Sequence, residues 1–198
     1  MGIKNETMSK KEIIWREILS QALEKKQYRF TQKELAQKFK FSLSTVFNAL
    51  KIPRFTGAVK VSGRFFTVTD KQKFLAIWST HRQLTKDIIY QTRVDLPVQK
   101  IEGELPAEVI PTAYTAFRLK FKEAPADYDK VYVYAEDLEQ IKKRFPFKEG
   151  IPNLIILMAD KFLKNYGSLA PLAQIYVDLW NLSEWYASDF LAALKEKI

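Results

Sequence analysis

The chain has no cysteine and a single histidine, His81, among 198 residues. Disulfides and thiolate metal centres are thereby excluded, and a His-rich metal centre with them, so no metal and no cofactor is expected. The lack of cysteine accords with a reducing compartment, and the cytoplasm is the expected location. No apolar run approaches the roughly 18 residues of a membrane span. The longest, Leu154 to Ala159, has the length of a strand, and no membrane partner is expected. The opening residues, MGIKNETMSKKE, are polar and hold no signal-peptide core. No G-x-x-x-x-G-K-S/T phosphate loop occurs, and no repeat of fixed period or low-complexity linker is visible. Disorder is excluded on the opposite ground: the chain is 47% hydrophobic and 14% aromatic, enough to bury cores.

What is present is basic charge, unevenly placed. Of a net +9, residues 1–70 carry 14 Lys and Arg against 6 Asp and Glu, and the rest carry 18 against 17. Nucleic acid is the natural acceptor of charge concentrated in this way. Part of it, at Lys4, Lys10, Lys11, Lys25 and Lys26, lies on the N-terminal tail and first helix and need not touch a ligand.

The first third reads as short helices followed by a hairpin. Ser9-x-x-Glu12 is a capping box, and Ile13, Ile14, Ile18, Leu19 and Leu23 follow it at helical spacing to about Lys26. Thr31-x-x-Glu34 is a second box, opening a helix with Leu35, Ala36 and Phe39. After Lys40-Phe41, Ser42 caps a third helix, expected to end near Lys51 because Pro53 interrupts it. Two short helices so closely joined form a helix-turn-helix candidate. In GAVKVSGRFFTVTD, Ser62-Gly63 reads as a two-residue turn between strands, the wing. Asp70 caps a fourth helix with Phe74, Leu75, Ile77, Trp78 and Leu84 on its apolar face.

From about residue 86, strands and helices alternate. Strands are expected over 88–94, 98–105, 130–134 and 154–159. Helices are expected over 107–120 (interrupted near Pro111), 136–144, 170–180 and 183–197. The fold class is α+β: a winged helix-turn-helix over 1–85, then a mixed α/β domain over 86–198 with two C-terminal helices.

On the third helix, Leu43, Val46, Phe47 and Leu50 fall within one arc and are expected to face the core. Ser44, Thr45, Asn48 and Lys51 fall opposite. Small hydroxyls, an amide and a cation suit base edges in a major groove, with asparagine matched to adenine. Arg54, Lys60 and Arg64 follow at the helix end and the wing, where cations meet phosphates or a minor groove. Lys33, opening the second helix, reaches the flanking backbone, and Ser42 stands at the cap beside it. Each cation taken alone is also an ordinary solvated side chain; the ordered helices, hairpin and charge together carry the DNA reading.

No catalytic set emerges. His81 lies near the apolar face of its helix and reads as structural, and no nucleophile with base and orienter is indicated. Gly167-Ser168, read as a helix start, is similar to the opening of a nucleotidyltransferase motif, but no Asp-x-Asp follows it to hold magnesium. Asp127 and Asp129 have that spacing upstream, and Asp160 stands alone. A degenerate nucleotidyltransferase or nuclease guided by the first domain is the alternative, and it requires these acids to converge. The terminal aromatics Tyr176, Trp180, Trp185, Tyr186 and Phe190 read first as core and second as a partner surface.

Residues 168–194, SLAPLAQIYVDLWNLSEWYASDFLAAL, resemble the C-terminal stretch of AbiEi-type antitoxins of type IV toxin–antitoxin systems. That family carries a P-x-A/Q-x-Y-x-D-L segment before a turn and a last amphipathic helix; Pro171, Gln174, Tyr176, Asp178 and Leu179 match it. The resemblance is sharp over about 30 residues and extends in organisation to the N-terminal domain. It implies a transcriptional regulator that binds double-stranded DNA in its own promoter and counters a cognate nucleotidyltransferase-like toxin. Helix-turn-helix readers commonly bind two half-sites, so a homodimer on DNA is expected.

Overall fold

Tryptophan organises the first half of the chain. The structure, a computed structural model, describes residues 8–198; Lys4 lies outside them. The protein is α+β, and its chain divides into two units. Among the described residues the first holds Met8–Arg82 and Leu172–Val177, the second Gln83–Pro171 and Asp178–Ile198. The short segment 172–177 therefore clusters with the first unit, although it follows residue 86 in sequence.

The first unit contains α1 (Lys10–Glu24), β1 (Arg29–Thr31), α2 (Gln32–Phe39), α3 (Leu43–Phe55), β2 (Val59–Ser62), β3 (Phe65–Val68) and α4 (Lys71–His81). Ser9 and Thr31 each close a capping box, and Ser42 and Asp70 cap α3 and α4, as the sequence predicts. Trp15, Phe74 and Trp78 are fully buried between α1 and α4, with Trp15 edge-on to Phe74 at 6.0 Å. Glu12 accepts from the Trp78 indole at 3.4 Å and pairs with Arg82 at 3.6 Å.

Two expectations are corrected in this unit, and a third finding adds a strand. First, α3 does not stop near Lys51; it continues through Pro53 to Phe55. Proline at 53 removes the amide that would bond the Ala49 carbonyl. That carbonyl instead accepts from the Trp15 indole at 2.7 Å, so no buried acceptor is orphaned. Second, the hairpin turn lies one residue later than expected. Ser62 pairs with Phe65, and Gly63-Arg64 make the turn. Gly63 has φ 58° while Arg64 is not left-handed, the pattern of a II′ turn, which needs glycine at its first central position. Third, β1 joins the sheet, giving the antiparallel order β1-β3-β2, with Phe30 stacked on its register partner Phe66 at 5.6 Å.

The second unit contains β4 (Ile88–Thr92), α5 (Val98–Gly103), β5 (Ile110–Pro111), α6 (Ala113–Phe121), β6 (Val131–Ala135), α7 (Glu139–Arg144), β7 (Leu154–Met158) and α9 (Ala187–Lys197). Helix α8 (Leu172–Trp180) ends in it. The sheet order is β4-β7-β6-β5, with β6 and β7 parallel and the outer pairs antiparallel. All of Val-Tyr-Val-Tyr-Ala in β6 is buried. Val131, Val133 and Ala135 join Ile101, Ile141 and Ile156 in one aliphatic core. Tyr132 and Tyr134 alternate onto the opposite face, as period two requires.

Residues 98–105, expected as a strand, instead begin with α5 (Val98–Gly103): Val98 and Ile101 are buried at helical i, i+3 spacing after Pro97. The helix expected from 107 is the short strand β5 followed by α6. Gly167-Ser168 does not open a helix. Gly167, at φ 109°, closes a 3-10 turn over Leu163–Tyr166, and α8 begins at Leu172, after Pro171.

Candidate nucleic-acid interface

The α2–α3 connection is set by local chemistry. Lys40 ends α2 in the left-handed region at φ 55°, and Phe41 returns its amide to the Ala36 carbonyl at 2.9 Å. Ser42 then accepts from the Thr45 amide at 3.1 Å. Its hydroxyl also lies 2.9 Å from those of Ser44 and Thr45. Three expected DNA-reading hydroxyls are thus bonded to one another at the start of α3. Asn48 is exposed, and its side chain has no hydrogen-bond partner among the described residues.

The predicted cations are all exposed. Lys33 lies in the first turn of α2, Lys51 and Arg54 in the second half of α3, Lys60 on β2 and Arg64 at the hairpin tip. Among the described residues none of these five is ion-paired with a carboxylate. Lys38 and Lys73, by contrast, are neutralised by Glu17 and Asp70. The structure therefore leaves uncompensated the cations that border the outward face of α3 and the hairpin.

The buried arc of α3 differs from the expected one. Val46, Ala49, Leu50 and Pro53 face inward. Leu43 is 56% exposed and Phe47 43% exposed, a rotation of about 60° from the expected arc at 100° per residue. Keeping Pro53 inside the helix extends the inward arc in that direction. Lys51 Nζ lies 5.7 Å and Arg54 Cζ 5.8 Å from the Phe47 ring centroid. Arg29 lies 3.7 Å over the ring of Phe65 on β3. These cation–aromatic pairs escaped the sequence reading, and the i, i+4 spacing of Phe47 and Lys51 was the available signal. Phe55, at the end of α3, is 94% exposed. His81 is exposed at the end of α4 and meets Trp15 edge-on at 5.2 Å.

The acids of the second unit do not converge. Asp127 is exposed, Asp129 accepts from the Tyr186 hydroxyl at 2.6 Å, and buried Asp160 accepts from the Phe162 amide at 3.0 Å. Among the described residues no three Asp, Glu or His side chains are placed to hold a metal ion. A cleft of about 480 Å³ opens at the carboxyl ends of β6 and β7; its Glu136 is paired with Lys164 at 3.2 Å.

The polar groups of this unit are used internally. Glu184, between α8 and α9, accepts from Lys130 at 2.6 Å, Tyr132 at 2.8 Å and Tyr114 at 3.0 Å. Burial pushes its carboxyl up, but these hydrogen bonds outweigh burial and hold it below the ordinary glutamate range. Burial first, then the Glu184 charge, raises both phenols. Asp178 is fully buried and accepts from Thr112 at 2.7 Å and Tyr134 at 2.8 Å. Pro171, Gln174, Tyr176, Asp178 and Leu179, the residues of the antitoxin-like segment, are all buried. Of the terminal aromatics, Tyr176, Tyr186 and Phe190 are core, whereas Trp180 is 41% and Trp185 73% exposed.

No protein-family model, curated protein or solved structure matches the chain.

Proposed function

We propose that the protein is a double-stranded DNA-binding transcriptional regulator. In this reading the first unit is a winged helix-turn-helix, α3 is the recognition helix and the β2–β3 hairpin is the wing. The observation that carries the proposal is the group of unpaired cations Lys51, Arg54, Lys60 and Arg64, bordering an exposed asparagine on α3. A duplex offers what this surface lacks, a row of negative charges beside hydrogen-bonding base edges. Asn48 is the base-reading amide, and Lys33 contacts the flanking phosphates. Ser42, Ser44 and Thr45 order the start of the helix and contribute through backbone proximity. The protein acts as a homodimer on paired half-sites.

The second unit serves as a protein-docking domain. Exposed Trp180 and Trp185 near its C-terminus support this, since tryptophan is enriched where partners bind. The resemblance of residues 168–194 to AbiEi-type antitoxins makes a nucleotidyltransferase-like toxin the proposed partner and the protein's own promoter the proposed site. That assignment rests on the resemblance alone, and no catalytic step belongs to it.

The test is a band shift with DNA from upstream of the protein's own gene. Changing Lys51, Arg54, Lys60 and Arg64 together to Ala is expected to weaken binding by about a hundredfold near physiological salt. Equal binding by parent and variant removes α3 and the hairpin as the interface. Co-purification of the partner with the parent but not with a Trp180→Ala/Trp185→Ala variant tests the docking role.

A further inference from the structure

We infer that Phe47 is a specificity-determining contact that reads the C5-methyl group of a thymine in the major groove. The inference rests on the DNA reading above and goes beyond it by naming a base and the side chain that selects it.

An aromatic ring on the outward face of a solvent-facing helix is costly unless something covers it. Phe47 is 43% exposed, on the arc of α3 that also carries Ser44 and Lys51, while Val46, Ala49, Leu50 and Pro53 fill the inward arc. The inward arc is occupied by aliphatic side chains and proline, and the ring lies outside it. Nor is the ring in purely apolar surroundings. Lys51 and Arg54 place cationic groups 5.7 and 5.8 Å from its centroid. Two unpaired cations around an exposed ring disfavour burial against an apolar protein surface, which would strip both of water without a counter-charge. They suit a polyanion, whose phosphates take the cations while its groove takes the ring.

Position along the helix narrows the contact. Recognition helices present their N-terminal residues to base edges. Phe47 is the fifth residue of α3, and Phe55 stands at its far end. The hydroxyls of Ser42, Ser44 and Thr45 are bonded to one another, which removes most of the polar readers from this half of the helix. What remains outward is one amide, Asn48, and two apolar side chains one turn apart, Leu43 and Phe47; of these Phe47 is consecutive with Asn48 and lies beside the cations Lys51 and Arg54. In the major groove an amide matches adenine, and the apolar group on offer is the thymine methyl. The pair therefore addresses neighbouring A·T pairs.

The experiment uses the full chain and a random-sequence duplex pool, from which bound sequences are enriched. Each thymine of the best duplex is then replaced singly by deoxyuridine, which deletes only the methyl group. The expected result is one position per half-site at which the parent binds about fourfold more weakly, the value of one buried methyl. The Phe47→Ala variant is expected to bind the thymine duplex more weakly and to be indifferent to uracil at that position, with an unchanged melting temperature. Enrichment of a sequence with no response to uracil anywhere overturns the inference while leaving the DNA reading intact. So does a uracil response that survives in Phe47→Ala. Loss of self-association in Phe47→Ala, with the uracil response retained, places the ring between two copies of the chain and overturns it as well. A parent that enriches no sequence removes the DNA reading and this contact with it.

Discussion

Each unit carries an exposed set of basic side chains, and the two sets differ in their partners. In the first, Lys33, Lys51, Arg54, Lys60 and Arg64 stand exposed without carboxylate partners among the described residues. In the second, Arg93, Lys148, Lys164 and Lys197 are exposed or half-exposed and each is paired with an acid, whereas Lys100, Lys122, Lys142 and Lys143 stand exposed without a carboxylate partner among the described residues. Cation–aromatic pairs occur in both units: in the second, Lys142 lies over Tyr90 and Lys195 over Trp180. Phe47 and Phe65 lie beside cations on the surface of the first unit, whereas Tyr114, Tyr132 and Tyr134 direct their hydroxyls to Glu184 and Asp178 within the second. A paired lysine is already neutralised, and surface pairs of that kind contribute little. An unpaired one is available to a ligand.

The largest effect is expected inside the second unit. Asp178→Ala leaves the buried hydroxyls of Thr112 and Tyr134 without their acceptor, at about 2–5 kcal/mol for the two. The midpoint of urea unfolding should fall accordingly. An unchanged midpoint breaks the claim that this unit's polar groups are structural. In the first unit, Trp15→Phe removes the donor to the Ala49 carbonyl and is expected to cost about 1–3 kcal/mol. Adding Pro53→Ala restores an amide facing that carbonyl and should recover part of the loss in a double-mutant cycle. Strictly additive effects contradict the account of how α3 accommodates its proline.

The smallest effect is one of pH. The Glu184 carboxyl is held below its ordinary value of 4.5. The stability it contributes is thus present above that value and is lost as pH falls through the lower folded one. Urea midpoints measured from about pH 6 down to about pH 3 should decline less steeply in Glu184→Gln than in the parent. Identical slopes assign the acid sensitivity to other carboxylates.

Much of the first unit is legible in its sequence because its signals are local. Ser9, Thr31, Ser42 and Asp70 announce helix starts through contacts three residues away. Gly63 announces a turn, though only the requirement for positive φ fixes which residues form it. The passage of α3 through Pro53 is not local; it depends on an indole 34 residues away in sequence. The rotation of α3 that exposes Phe47 accompanies that continuation, with Pro53 joining Val46, Ala49 and Leu50 on the buried arc. Strand β1, at three residues, is too short to show a period. In the second unit, residues 98–105 read VQKIEGEL, where Val98, Ile101 and Leu105 recur at i, i+3 and i+7; that helical spacing was the signal the strand expectation passed over. Ion pairing joins residues such as Lys148 and Asp95 that sequence spacing does not connect.

The central claim is that unpaired cations of the first unit meet a polyanion. Its most direct test is the salt dependence of DNA affinity for two matched variants. One carries Ala at Lys51, Arg54, Lys60 and Arg64, the other at Arg93, Lys148, Lys164 and Lys197. Each phosphate contact contributes about 0.9 to the slope of log K against log salt concentration. The first variant should therefore lose about 3 to 4 from the parent slope, and the second should retain the parent slope. Equal slopes in the two variants contradict the claim.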